Sequence, residues 1–530
     1  MLVKILLMIV FFAVTLFVGF YFRKRSASVE AFTLGGRNVG PWLTAFSFGT
    51  SYFSAVIFVG YAGQFGWRFG TAATWIGLGN AFIGSLLAWI ILGRRTRIMT
   101  NHLKSATMPA FFGTRFNSDA IKIGASLIAF IFLIPYTASL YNGLSRLFEM
   151  AFGINFIWCI VGLAVLTAVY VVAGGYFGQA VNGFIQGIVM LVGIVAVVAA
   201  VLGDNGGFIN SLKDLANVEA VNVNGDAVPG VLTSFFGPDP IALLGVVLLT
   251  SLGTWGLPHM VSKFYSIKSE KMIKKGTIIS TVFAVVVAGG CYFLGSFGRL
   301  YSDVVVKNPE TGAVAFDSVI PKMLEKFPDL LIGIILIVVF AASMSTLSSL
   351  VMASSSTLTL DFLKGHVFKK MKEKTQLFSI RLLVVVFIVI SSAIAIFQVA
   401  SQGSVIWIAQ LMGISWGALA GAFLAPFLYG LFWKGVTKVA VWCNFAFSVV
   451  FMLLNVVLKL FFPDAFVKVF PLVLQDAINA GAFVMLAGLV IVPVVSLITK
   501  KPDKKFIEQC FSCYDEKTTV KVSSDLGNNN

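Results

Sequence analysis

Hydropathy along the chain rises and falls in blocks close to the ~20 residues that cross a bilayer. Apolar stretches fall at 2–22, 42–64, 73–93, 120–147, 155–175, 179–202, 240–261, 276–298, 329–360, 379–398, 404–430, 436–457 and 480–499. They predict thirteen membrane-spanning helices, numbered one to thirteen in chain order.

Three of these spans carry polar residues at mid-membrane depth. Span two has no charge from Trp42 to Tyr61, yet it holds Ser47-Phe48-Gly49-Thr50-Ser51. Such residues favour caps and turns over helix interiors. Span seven holds Thr250-Ser251-Leu252-Gly253-Thr254-Trp255-Gly256-Leu257-Pro258-His259. Span nine holds Ala341-Ala342-Ser343-Met344-Ser345-Thr346-Leu347-Ser348-Ser349, followed by Ser354-Ser355-Ser356-Thr357. All three read as interrupted helices. An unpartnered carbonyl in hydrocarbon costs several kcal/mol, so a broken helix persists only where protein or a water-filled cavity satisfies its backbone. Spans two and seven lie about 200 residues apart, at corresponding places in two halves, the pattern of a transporter binding site. Small residues also mediate plain helix packing. Three clusters in this arrangement favour the transporter.

Composition agrees. Of 530 residues, 58% are hydrophobic and 12% charged, against roughly 25% charged in a soluble domain. The chain therefore reads as an all-α polytopic membrane protein with the lipid bilayer as its first partner. The formal charge of +16 is loop charge facing an anionic leaflet, not a nucleic-acid surface, because the basic residues sit between the apolar runs. They cluster at 23–37, 94–115, 263–275 (beginning at Lys263), at 364–374, at Lys434 and at 500–505. The loops 203–239 and 299–328 together hold more Asp and Glu than Lys and Arg. With an odd number of spans this predicts the N-terminus outside and the C-terminus in the cytoplasm of the plasma (inner) membrane. The start, Met1-Leu2-Val3-Lys4, lacks a small-residue cleavage site before Arg23-Lys24-Arg25 and reads as a retained span. The tail after Lys505 reads as disordered. Cys159, Cys291 and Cys443 lie in apolar runs as packing residues. Cys510 and Cys513 alone are too few for a four-ligand zinc site.

The predicted spans hold almost no carboxylate. Asp361 falls at the cytoplasmic end of span nine, as a cap or anchor, and Glu149 near an outer end. His259 is near the inner end of span seven. A proton-coupled carrier usually titrates a buried Asp, Glu or His. A dehydrated Na⁺ needs only neutral oxygens, which Thr50 and the Ser345-Thr346 pair offer. This favours Na⁺ over H⁺ as coupling ion, with no other cofactor. No buried Arg or Lys is visible to pair a substrate carboxylate; a half-helix N-terminus is the substitute. A Gly-Lys-Ser/Thr nucleotide loop, an H-E-x-x-H helix and repeated K⁺-filter segments are absent, which argues against an ATP-driven pump, a metalloprotease and a K⁺ channel. The chain reads as a transporter and not an enzyme.

Several motifs carry a family resemblance. They are Leu34-Gly35-Gly36-Arg37-Asn38-Val39-Gly40-Pro41, Ser54-Ala55 with Phe58-Val59-Gly60, and Gly174-Gly175 with Ile185-Gln186-Gly187. Then come Gly256-Leu257-Pro258-His259, Met344-Ser345-Thr346-Leu347 and Gly430-Leu431-Phe432-Trp433. In this order the sequence resembles the sodium:solute symporter family up to about residue 435, and looks most like its pantothenate and proline branches. The resemblance implies a leucine-transporter-like core, an inverted repeat of five plus five helices. The domains are then 1–40 (first span and cytoplasmic loop), 41–202 (first repeat, spans two to six) and 203–435 (outer loop and second repeat, spans seven to eleven). Residues 436–505 hold spans twelve and thirteen, and 506–530 a disordered cytoplasmic tail. The resemblance further implies alternating access driven by sodium. Its main sodium site falls on the carbonyls of Thr50, Phe53 and Ala342 and the hydroxyls of Ser345 and Thr346. Phe53 and Ala342 come from the resemblance alone.

Two departures matter. Members commonly carry an Asp three residues before the Gln of span six, where this chain has Gly183 before Gln186. One Na⁺ per cycle is therefore expected. The proline branch has an Asp just after the Ser of the span-two break, where Tyr52 follows Ser51. Family geometry places the solute among Ser51, Tyr52, Ser54, Thr254, Trp255 and Gln410. Packing is the alternative for Tyr52 and Trp255, and an interhelical hydrogen bond for Gln410. The expected function is Na⁺-coupled import of a small organic solute: pantothenate, an amino acid, a monocarboxylate or a sugar. An H⁺-coupled symporter of the same fold and a passive facilitator or channel are the alternatives.

Overall fold

The computed structural model describes residues 2–307, 312, 314–400 and 408–514. Among them there is no β-strand, only three isolated bridges. The beginning of span eleven at 404–407 lies outside the described residues. Ten helices are long and apolar enough to cross a bilayer, and the bent pair Pro240–Gly256 with Pro258–Ser266 makes eleven. Two of the ten are too long for one crossing: Val56–His102 has 47 residues and Phe156–Asp204 has 49. Each is about 70 Å long at 1.5 Å per residue, against a hydrocarbon core of about 30 Å. Each turns at a glycine in the left-handed region, Gly70 at φ 58° and Gly175 at φ 55°, where a side chain is strained. Divided there, they yield the thirteen spans that hydropathy predicts.

The bundle has a buried centre and a lipid-facing rim. In their most apolar windows, span eleven is 89% buried and span nine 78%, but span one only 28%. Span one leaves Ile9, Val10 and Phe17 exposed, and span twelve leaves Val450, Leu453 and Val457 exposed. Exposed apolar rows of this kind suit acyl chains and not water. Span nine packs against spans one, four, five and six and against the first half of span two.

Spans two and seven are broken. Pro41 starts span two where its missing N–H costs nothing, and the first half ends at Tyr52. Phe53 is extended (φ −97°, ψ 129°), and the chain resumes as a π-helix at Val56–Tyr61. The break lies a few residues beyond Gly49. That glycine instead lets the Phe283 ring approach: a Cβ on it would lie 2.5 Å from Phe283 Cδ1. In span seven the helix Pro240–Leu252 tightens over Gly253–Gly256, Leu257 is extended, and Pro258–Ser266 leaves at 48°. The entry to span two is tied to the exit of span seven: Val39 N donates to Ser266 O (3.1 Å), and Lys268 N to Val39 O (3.0 Å).

Three expectations are corrected. Span nine is not interrupted; Asp329–Thr357 is one α-helix, continued by a π-helical stretch at Leu358–Val367. Its hydroxyls bond back along the helix instead of competing with it: Thr346 donates to Ala342 O at 3.0 Å and Ser348 to Ser345 O at 2.9 Å. The tail is ordered as far as it is described. Lys504–Phe511 is a helix and Ser512–Tyr514 a 3₁₀ turn; residues 515–530 lie outside the described residues. Phe511 covers the Arg115 guanidinium at 4.9 Å, and Arg115 donates to Gly430 O (2.9 Å) and Trp433 O (3.0 Å). Burial lowers the Arg115 pKa to about 10. His102 Nε2 meets Gln509 O at 3.0 Å, and Arg95 lies 4.8 Å over Tyr514. The third correction is that a buried lysine does exist. Lys263, on the half-helix Pro258–Ser266 after the span-seven bend, is 1% exposed.

Glycine contacts set how closely the broken span approaches its neighbours. A Cβ on Gly66 would lie 1.9 Å from Gly295 O in span eight. Gly66→Ala therefore forces two backbones apart and should cost 3 kcal/mol or more, on the order of severe overpacking. The expected result is loss of the monodisperse peak in detergent size-exclusion chromatography. Gly203 has nothing within 4 Å of a built Cβ, so Gly203→Ala should keep that peak and raise helix stability slightly.

Candidate functional site

The break in span two releases backbone groups that span nine receives. Ala55 N donates to Ser343 Oγ at 2.8 Å. Ser54 O stays in the helix by accepting from Ile57 N and Phe58 N, both at 3.0 Å. On the other side of the break, Thr346 Oγ1 lies 3.2 Å from Thr50 O, 3.3 Å from Phe53 O and 3.0 Å from Ala342 O. One hydroxyl hydrogen serves one carbonyl at a time, so the others are held with their lone pairs converging on one point. Ser345 Oγ is 2.7 Å from Thr50 Oγ1, which also donates to Phe46 O at 2.8 Å. All five residues are buried. The structure thus brings Thr50, Phe53, Ala342, Ser345 and Thr346 together.

No acidic side chain is a hydrogen-bond partner in this cluster among the described residues. Neutral hard oxygens suit a weakly charged cation, whereas divalent ions are usually met by carboxylates. Gly183 of span six faces the same point. A Cβ there would stand 3.1 Å from Thr50 Oγ1 and 3.4 Å from Ser345 Oγ, so the bare backbone is what admits this hydroxyl pair.

The candidate solute residues divide into groups. Ser51 Oγ reaches Ser47 O (2.5 Å) and Ser349 Oγ (2.7 Å). Tyr52 donates to Thr250 O and stacks on Trp416, with centroids 6.0 Å apart. Tyr136 of span four packs against the same Trp416 and against His259, both at 5.8 Å. Its hydroxyl faces Ser54 and the Trp416 indole N–H, and none of the three makes a hydrogen bond within ordinary limits. Buried polar groups normally find partners, so these three form an under-satisfied polar cluster between spans two, four and eleven. Thr254 and Trp255 turn instead to span three: Thr254 Oγ1 lies 3.4 Å from Gly84 O, and Trp255 Nε1 3.1 Å from Ile83 O. Gln410 stands about 9 Å along its helix from Trp416. It donates to Asp476 Oδ2 (3.3 Å) and accepts from Ala477 N (3.2 Å).

Sequence reasoning missed Tyr136, Trp416 and Lys263. Pro135 inside span four was one available signal, since a helix-interior proline marks a local opening. The Lys263 Nζ donates to Ser349 Oγ at 3.1 Å. The Gln179 amide satisfies this cluster with its oxygen toward Lys263, accepting from Ser349 N (3.2 Å), Ser348 Oγ (3.2 Å) and Lys263 Nζ (3.3 Å).

Two broken helices that face each other across a bundle, with carbonyls converging beside a straight hydroxyl-rich span, define a secondary transporter. The family model of the sodium:solute symporter family matches residues 32–446, and the chain belongs to that family. It is 30% identical over 446 residues to "Sodium/proline symporter 2" of Staphylococcus saprophyticus, which covers 82% of each chain. It is likewise 30% identical over 447 residues to "Sodium/proline symporter" of Staphylococcus aureus, covering 81% of each. Among solved structures, a substrate-bound, outward-open Na⁺-coupled sialic acid symporter aligns with a TM-score of 0.71 at 18% identity, covering 94% of this chain and 99% of that one. The fold is leucine-transporter-like, and the function is sodium-coupled symport.

The Ser343 contact gives a test of the break itself. Ser343→Ala leaves a buried N–H without its acceptor, which costs about 1–3 kcal/mol. The thermal-unfolding temperature of the purified protein should fall by several degrees. An unchanged temperature would mean that Ala55 N–H is satisfied elsewhere.

Proposed function

We propose that this chain imports a small organic solute together with one Na⁺. The ion is bound by the carbonyls of Thr50, Phe53 and Ala342 and the hydroxyls of Ser345 and Thr346. The observation that carries this is the Thr346 hydroxyl, within 3.0–3.3 Å of all three carbonyls. Gly183 supports the single ion: it brings no carboxylate to the hydroxyl pair it touches. With the N-terminus outside, a cavity of about 710 Å³ lined by Thr33, Asp361 and Lys364 opens on the cytoplasmic side, which fits an inward-facing step of alternating access. With a neutral or zwitterionic solute such as proline one net charge moves per cycle, and the membrane potential adds about 2.3 kcal/mol per 100 mV, about 50-fold in accumulation; with a monoanion such as pantothenate the cycle is electroneutral. The solute meets Ser51, Tyr52 and Ser54 at the break, with Tyr136 and Trp416 completing the pocket. Thr254 and Trp255 of span seven tie it to span three, and Gln410 acts through Asp476. The relatives make proline the first compound to test.

The test is uptake by proteoliposomes of labelled proline, pantothenate, pyruvate and glucose, with an inward Na⁺ gradient or a proton gradient alone. One compound should accumulate with sodium only; proline or glucose should also accumulate more under an inside-negative potential, whereas pantothenate or pyruvate should not. Thr346→Ala should raise the sodium concentration for half-maximal uptake about tenfold or more, the effect of losing roughly 1.4 kcal/mol of ion binding; Ser345→Ala should raise it too. Accumulation under the proton gradient alone, or wild-type sodium dependence in both variants, would refute this ion site.

A further inference from the structure

Lys263 sits where a charge is expensive. It lies on Pro258–Ser266, the half-helix after the span-seven break, and is 1% exposed. Its ammonium is held by Ser349 Oγ at 3.1 Å, Gln179 Oε1 at 3.3 Å and the face of Tyr176 at 5.1 Å. The ion pairs formed among the described residues do not include it. Neutral partners compensate a buried ammonium only in part, and the cost is normally retained where the charge is used.

Its surroundings suggest the use. Lys263 lines a small void of about 30 Å³, the room of about one water, together with Gln179, Ser349 and Ser356. The Ser356 hydroxyl, 3% exposed, has no hydrogen-bond partner. Toward the membrane centre, Ser349 Oγ is 2.7 Å from Ser51 Oγ, so the cavity is one hydroxyl away from the span-two break. Toward the cytoplasm it shares Thr33, Leu34 and Ala106 with the large vestibule. That vestibule is lined by five basic side chains and three acidic ones. A solute leaving the break toward the cytoplasm therefore passes a desolvated ammonium, then a surface of net positive charge.

We propose that the transported solute carries a carboxylate, and that Lys263 pairs with it on the inward leg while Ser356 donates a hydrogen bond to the same group. A sugar or other neutral solute has no group to offset this charge. The proposal rests on the sodium-symport reading and deepens it by naming the solute class. Ordinary single-charge pairing out of water explains the selectivity, since a buried ammonium attracts an anion far more strongly than a surface lysine does.

The full-length protein in proteoliposomes under an inward Na⁺ gradient provides the test, using proline against prolinamide, pantothenate against pantothenol, and glucose. An acid should accumulate, and its carboxylate-free partner at least tenfold more slowly. Lys263→Gln should lower uptake of that acid at least tenfold and raise its KM, with Lys263→Arg keeping most of the activity. The sodium-induced rise in unfolding temperature should persist in Lys263→Gln, showing a folded protein with its ion site intact. Glucose or a carboxylate-free partner accumulating as fast as the acid would overturn the proposal, as would wild-type KM in Lys263→Gln. Failure of the sodium reading looks different: the wild type then shows no sodium-induced stabilisation. In that case stabilisation by millimolar proline or pantothenate in sodium-free buffer, present in wild type and lost in Lys263→Gln, still reads the lysine.

Discussion

A helix broken inside a bilayer must find partners for its freed backbone within the protein, and this constraint organises the molecule. Span two loses its helical pattern at Phe53. Its N–H at Ala55 goes to Ser343, and its carbonyls at Thr50 and Phe53 face Thr346. Both acceptors of the strain come from span nine, so span nine has to be straight and well anchored. It is, because its hydroxyls fold back onto its own carbonyls and its surface is almost wholly buried. The same oxygens that make the break tolerable are the ones proposed to bind sodium. In that reading structural satisfaction and ion binding are two uses of one geometry.

Close backbone approach is the second condition. Gly66 against Gly295 leaves no room for a side chain, and Gly183 against the Thr50–Ser345 pair leaves little. In a bilayer, where apolar burial does little to drive helices together, such contacts supply the packing. In the proposed ion site the oxygens are brought together by the packing of the bundle and not by an opposite charge. Lys263 is likewise held by neutral groups, those of Ser349, Gln179 and Tyr176.

The thirteen apolar blocks, the breaks in spans two and seven, and the scarcity of carboxylates were legible because hydropathy and helix-breaking chemistry are local properties of a sequence. Thr50, Ser345 and Thr346 stood out as candidate oxygens by residue type; Phe53 and Ala342 were named through the resemblance, since a carbonyl leaves no mark on residue type. Span nine was misjudged because Ser and Thr weaken a helix when they compete with its backbone, and stay in it when they bond to the carbonyl a turn earlier. Only their neighbours decide which. The ordered tail was misjudged because its few apolar residues, Phe511 and Tyr514, find partners on Arg115 and Arg95 about 400 residues away.

The chain by itself determined that it crosses a membrane, where spans two and seven are weak, and which hydroxyls are candidates for sodium. The tertiary structure decided which of those oxygens meet, that Gln410 is spent on Asp476, and that Tyr136 and Trp416 face Ser54. It also decided that Lys263, on a basic segment that reads as cytoplasmic, is buried on the half-helix after the 48° bend of span seven. The reason is physical: burial and pairing of a side chain depend on residues hundreds of positions away, and no local pattern encodes them.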